Sequence, residues 1–166
     1  MNSLKILVVD DDPSTRLLLK KWLEKEDFDV ETAVNGMEAV GLISGHYYDV
    51  VLTDLMMPGG VDGLGVLDAA RETHGGRTEV ILITAFASVE NAVVAMRKGA
   101  ADYLKKPINH DELMLRLEKI SSMKALIKNA GDLREAMDVT EQNAAATIQN
   151  LEMEISRLNK KLSVGA

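Results

Sequence analysis

The chain has 166 residues, 46% of them hydrophobic and 27% charged, with a formal charge of −7 and no cysteine. That composition describes a folded domain of ordinary size with some chain to spare, and it excludes disulfides, thiolate catalysis and thiolate metal sites. Residues 1–120 carry 13 Lys/Arg against 20 Asp/Glu, while residues 121–166 carry six of each. Neither part has the basic stripe that nucleic-acid binding needs, so no direct nucleic-acid partner is expected.

Taken in order, strand and helix signals alternate. Leu4 to Val9 is an apolar run ending on three acids, Asp10, Asp11 and Asp12. It is too short for a signal peptide, and no later segment is long enough to span a bilayer, so the expected location is cytoplasmic. Pro13 suits a first helical turn, with Leu18, Leu19, Trp22 and Leu23 on one face and Asp12 as its cap. Phe28 to Ala33 reads as a strand, and Asn35 caps a helix closed by Gly45. Val50 to Thr53 is a buried strand that delivers Asp54 to its C-terminal end, before Pro58 and Gly59 stop regular structure. A helix with Leu64, Leu67 and Ala70 follows, then a strand from Glu79 to Thr84. Ser88 caps a helix with Val89, Ala92, Val93 and Met96 on its apolar face, ended by Gly99. Ala101 to Lys105 is the last strand, and a helix opens near Asn109. Trp22 and most methionines read as core, whereas His46, His74 and His110 read as solvated surface.

Five strands alternating with five helices predict an α/β fold, a doubly wound parallel sheet covered on both faces. The flavodoxin-like order 2-1-3-4-5 places the ends of the first and third strands side by side, bringing Asp10 and Asp11 next to Asp54. Two carboxylates about 5 Å apart repel by roughly 3 kcal/mol at an effective dielectric of 20. A hard divalent cation relieves that repulsion, and Mg²⁺ suits a site of carboxylates that also receives phosphate oxygens. Aspartate can itself be the nucleophile. Thr84 and Lys106 end the fourth and fifth strands and offer a hydroxyl and a fixed positive charge.

Ile6-Leu-Val-Val-Asp-Asp11, Asp49-Val-Val-Leu-Thr-Asp-Leu-Met-Met-Pro58, Ile83-Thr-Ala85, Gly99-Ala-Ala-Asp-Tyr103 and Lys106-Pro107 stand in order at strand ends. With these five pieces the chain resembles the receiver domain of two-component response regulators over roughly residues 3–122. The resemblance implies that Asp54 accepts a phosphoryl group from a sensor histidine kinase. It also implies that Asp10, Asp11, Asp54 and the Met56 carbonyl hold Mg²⁺, that Thr84 and Lys106 contact the phosphoryl group, and that Tyr103 is an aromatic switch residue. It further implies a cis peptide between Lys106 and Pro107. Such a chain is a phosphoryl acceptor rather than a turnover enzyme. A phosphatase with an aspartyl intermediate would want a second acid two residues after the nucleophile, where Met56 stands. Gly60-Val61 separate Pro58-Gly59 from Asp62-Gly63, one residue more than the family usually has, which should loosen that loop. Met56 and Phe86 occupy the positions that flank the hydrolytic water's route in the family, so slow self-dephosphorylation is expected.

Beyond Ile120 the texture changes, giving an expected division into a receiver at 1–122 and a helical segment at 123–166. Gly131 could end one helix, with Asp132 and Glu135 capping the next. From Ala144 the apolar residues Ile148, Leu151, Ile155, Leu158 and Leu162 fall at heptad spacing, a narrow seam that suits a coiled coil and a homodimer. Upstream the same register meets Arg134 and Glu141, which interrupt it. Two parallel copies are the simplest closed arrangement. The rival for the seam is a helix folded back on its own domain. The rivals for the chain are an oligomerisation scaffold whose receiver is a docking platform, and the receiver-plus-linker piece of a longer regulator.

Overall fold

The computed structural model describes residues 3–165. Five parallel strands, β1 (Lys5–Val9), β2 (Asp29–Ala33), β3 (Val50–Asp54), β4 (Glu79–Thr84) and β5 (Asp102–Lys105), form one sheet in the order β2-β1-β3-β4-β5. The predicted order therefore stands. Every residue of β3 is buried, as a central parallel strand requires. Its register with β1 pairs Val9 with Thr53, so the residues that follow, Asp10 and Asp54, emerge at one level.

The connecting helices start where side chains can take up orphan N–H groups. Asp12 accepts from Ser14 and Thr15 at the head of α1 (Pro13–Lys25), and Asn35 from Glu38 at α2 (Gly36–Gly45). Asp62 accepts from Gly65 at α3 (Gly63–His74), and Ser88 from Asn91 at α4 (Val89–Arg97). Alternation along the strands sends Leu7, Val9, Val51, Val80 and Leu82 to one face, where they meet Ala39, Ile43, Val66 and Leu67 of α2 and α3.

Three expectations change. The last helix, α5 (His110–Val164), runs through Gly131 without a break. A helical glycine costs only about 1 kcal/mol against alanine, and Ala130, Leu133, Arg134 and Glu135 around it are all good helix formers. The face of α4 read as apolar is turned outward: Val89 is 81% exposed and Ala95 is the helix's one buried residue. The methionines are mostly exposed too, including Met37, Met56, Met96, Met123, Met137 and Met153, and Trp22 is half-buried.

The chain forms two units, Met1–Glu118 and Lys119–Ala166. Among the described residues no helix is long and apolar enough to cross a membrane.

Candidate phosphoacceptor site

At the C-terminal ends of β1, β3 and β5, three charged side chains meet. Lys106 Nζ lies 2.8 Å from Asp10 Oδ2 and 2.8 Å from Asp54 Oδ2. The other oxygens are held by backbone: the Asp12 N–H donates to Asp10 Oδ1 at 2.9 Å, and the Met56 N–H to Asp54 Oδ1 at 3.1 Å. Asp11, exposed, brings a third carboxylate, and one oxygen from each of Asp10, Asp11 and Asp54 lies within 4.8 Å of the others. The sheet order and the turn after β1 thus bring together the acids that the sequence singled out.

Burial raises the pKa of Asp10, against the opposing pull of Lys106 and the Asp12 N–H. Burial alone would lower that of Lys106, but its bonds to Asp10 and Asp54 outweigh burial and raise it. The ammonium therefore stays charged and serves as counterion to two crowded carboxylates. The donor set is all hard oxygen, which fits a divalent cation of the magnesium or calcium class and no soft metal.

Thr84 is fully buried at the end of β4, one residue beyond Ile83, the register partner of Asp54. Its Oγ1 accepts the Phe86 N–H at 3.1 Å, and its carbonyl accepts the Lys106 N–H at 2.8 Å. The Lys106–Pro107 peptide is cis. Tyr103 packs against the core with its hydroxyl buried and, among the described residues, without a hydrogen-bond partner. Met56 and Phe86 are 58% and 72% exposed at the rim.

Sequence reasoning missed four residues. Arg16 Nη1 donates to the Asp10 carbonyl at 2.7 Å, fixing the turn that carries both acids; a lone arginine on α1 gave no signal. A Cβ on Gly63 would sit 2.4 Å from the Asp54 carbonyl oxygen, so α3 can start against β3 only with glycine. His74, read as solvated, places Nε2 at 2.9 Å from the Ile43 carbonyl and 3.1 Å from that of His46, a bridge between α3 and α2. His110 likewise meets Trp22 edge-on at 5.2 Å.

The longer loop turns on its two glycines. Gly59 and Gly60 take φ of 99° and 88°, and the turn they make returns Val61 to the core. Gly36 makes room for it, since a Cβ there would lie 2.3 Å from the Val61 carbonyl.

A parallel sheet of this order, with clustered acids and a lysine at its C-terminal edge, defines a flavodoxin-like receiver. The family model for the response regulator receiver domain matches residues 6–118, and the chain belongs to that family. It is 38% identical over 138 residues to the regulatory protein AtoC of Escherichia coli, covering 83% of this chain and 30% of AtoC. It is 40% identical over 129 residues to the transcriptional regulatory protein ResD of Bacillus subtilis, covering 78% and 50%. The chain thus spans half or less of the length of these relatives. Among solved structures it is similar to a CheY-like receiver domain protein from Methanospirillum hungatei (TM-score 0.69, 30% identity, 75% of this chain and 98% of that one). It is also similar to NtrX from Brucella abortus (TM-score 0.72, 32% identity, 80% and 30%).

Proposed function

We propose that the chain is a cytoplasmic response regulator in which Asp54 takes a phosphoryl group from a sensor histidine kinase. The observation that carries this reading is the Lys106 ammonium spanning Asp10 and Asp54 at 2.8 Å each, with Asp11 beside them. Asp10, Asp11, Asp54 and the Met56 carbonyl would hold Mg²⁺, which when bound neutralises charge on the acids and on the incoming phosphoryl oxygens. An Asp54 oxygen attacks phosphorus while the donor's bond to phosphorus breaks, and the Asp10 side chain keeps the metal side of the pocket anionic. Lys106 stays protonated throughout and pairs with the added charge. The Thr84 hydroxyl turns from the Phe86 N–H toward the same oxygens, and Tyr103 repacks into the space released. Its hydroxyl, unpartnered among the described residues, loses no hydrogen bond inside by moving, so the rotation is inexpensive. The face built from α4, β5 and α5 changes in consequence. The exposed Val89, Val93 and Met96 of α4 suit such a face. The helical segment then passes the change to a second copy and to an output beyond these residues.

Radiolabelled acetyl phosphate with Mg²⁺ should label the wild type and leave Asp54→Ala unlabelled. A wild type that takes up no label from acetyl phosphate or from any kinase would leave the docking-scaffold reading in its place. Lifetime is a second check. Met56 and Phe86 present only apolar side chains at the rim, unable to orient a water. Met56→Asn and Phe86→Glu should each speed loss of the acyl phosphate by about tenfold, and unchanged rates would remove that role from both positions.

A further inference from the structure

Because α5 is unbroken at Gly131, the seam can be followed upstream from Ala144 in one register. Ile120, Met123, Ile127, Ala130, Arg134, Met137 and Glu141 continue the alternating steps of three and four without a skip. None of the described residues after Leu117 is buried, and Ile148, Leu151 and Ile155 are each 58% exposed. A stripe that is apolar but for Arg134 and Glu141, on a helix left uncovered by the described residues beyond Leu117, calls for a second helix.

We infer that the partner is a second copy of this helix running antiparallel, with the twofold axis crossing at the height of Val139. The inference rests on the homodimer proposed above and fixes its direction. In a parallel pair each seam residue meets itself. Arg134 would then face Arg134 of the partner subunit, and Glu141 the partner's Glu141. Ala130 and Ala144 would each leave a layer filled only by methyl groups. Along the flanks, Lys119 would face the partner's Lys124 twice.

Turning one helix around removes the faults within the seam, while on the flank Lys119 then meets Lys161 of the partner subunit. Arg134 then lies against the partner's Ala144, which leaves room for its side chain to reach Glu141 of the partner subunit one layer away. Ala130 meets the partner's Ile148, a small residue against a large one. Leu151 meets the partner's Ile127, and Lys124 stands beside Glu152 of the partner subunit. Each contact occurs twice across the axis. The one like-charge pair near the axis, Asp138 with its own copy, has Arg134 one turn away on the same helix. Neighbouring antiparallel registers, one heptad to either side, separate Lys124 from the partner's Glu152. Charge and size thus select the same alignment.

The absence of cysteine makes the test direct. Full-length chains carrying Leu151→Cys alone and Ile127→Cys alone are mixed, allowed to exchange, and oxidised mildly. The expected product is a disulfide-linked pair containing one chain of each kind, with neither variant linking to itself. In the proposed alignment the two Leu151 positions stand about 36 Å apart along the axis. Self-linking by Leu151→Cys shows a parallel pair, which overturns this inference and leaves the dimer standing. Sedimentation equilibrium that finds only monomer overturns both. A second variant gives opposite signs: Lys124→Glu should weaken the antiparallel dimer by about tenfold. Tighter association by this variant would instead indicate the parallel arrangement and overturn the inference.

Discussion

The two units of this chain are held together by different physics. In the receiver unit, Val50 to Asp54 are buried from end to end, and each strand is hydrogen-bonded to neighbours far away in sequence. In the unit from Lys119 onward, what holds the helix is its own backbone ladder and short-range pairs such as Arg157–Glu154 at 2.7 Å. The first has an interior, and none of the described residues of the second is buried. A helix gains most of its stability in proteins from packing an apolar face, so the receiver's stability is a property of one chain. That of the tail depends on how much protein is in solution.

Matched core truncations draw the contrast most sharply. Leu52, 1% exposed in β3, should cost about 2–5 kcal/mol of receiver stability when changed to alanine. Leu151→Ala should leave the receiver's unfolding transition where it is and lower the concentration-dependent helicity of the tail. The two transitions are read separately by chemical denaturation, with Trp22 fluorescence reporting the receiver and far-ultraviolet dichroism the helix. A receiver transition that moved with Leu151→Ala would mean that the two parts fold as one.

The charged pocket offers a smaller effect confined to the receiver. Lys106→Met takes the counterion from Asp10 and Asp54 and should destabilise the metal-free protein by about 1–3 kcal/mol. Lys106 titrates above its ordinary value of 10.5 when folded, so its contribution is complete below that value and lost as pH rises through the folded one. The variant should lack this alkaline limb. Asp10 is also raised, chiefly by burial, so it opposes folding when ionised and does so less as pH falls through its raised value. Mg²⁺ should raise the melting temperature of Lys106→Met more than that of the wild type, because the two cations share the same oxygens. Equal rises would mean that the ammonium does not compete there.

The contrast also explains what could be read from residues alone. Sheet order, the carboxylates and the caps Asp12, Asn35 and Ser88 were legible because each depends on a local pattern or on a topology with few alternatives. The exposure of α4 was not, since Val89 and Val93 satisfy helical periodicity whether a face is buried in the chain or left for a partner. Arg16 and His74 were invisible because their partners are backbone carbonyls, which no sequence marks. The break expected at Gly131 failed for the opposite reason: a local signal was real but weak, and the surrounding helix formers outweighed it.

The same substitution should act with opposite sign in the two units, and this is the smallest effect expected. Gly60 holds φ at 88° in the turn that returns Val61 to the core, with open space around it. Alanine there meets no neighbour, so its cost is conformational alone, about 1–2 kcal/mol against receiver stability. Gly131 also has open space around it, but its backbone is helical. Alanine there removes the entropy that glycine loses on entering a helix and should stabilise the tail by about 0.5–1 kcal/mol. Thermal melts at several protein concentrations would resolve both: Gly60→Ala lowers the receiver transition at every concentration, while Gly131→Ala raises only the transition that depends on concentration. If Gly131→Ala lowered it instead, a kink at that glycine would be part of the paired helix, and the continuous seam from Ile120 to Leu162 would have to be divided there.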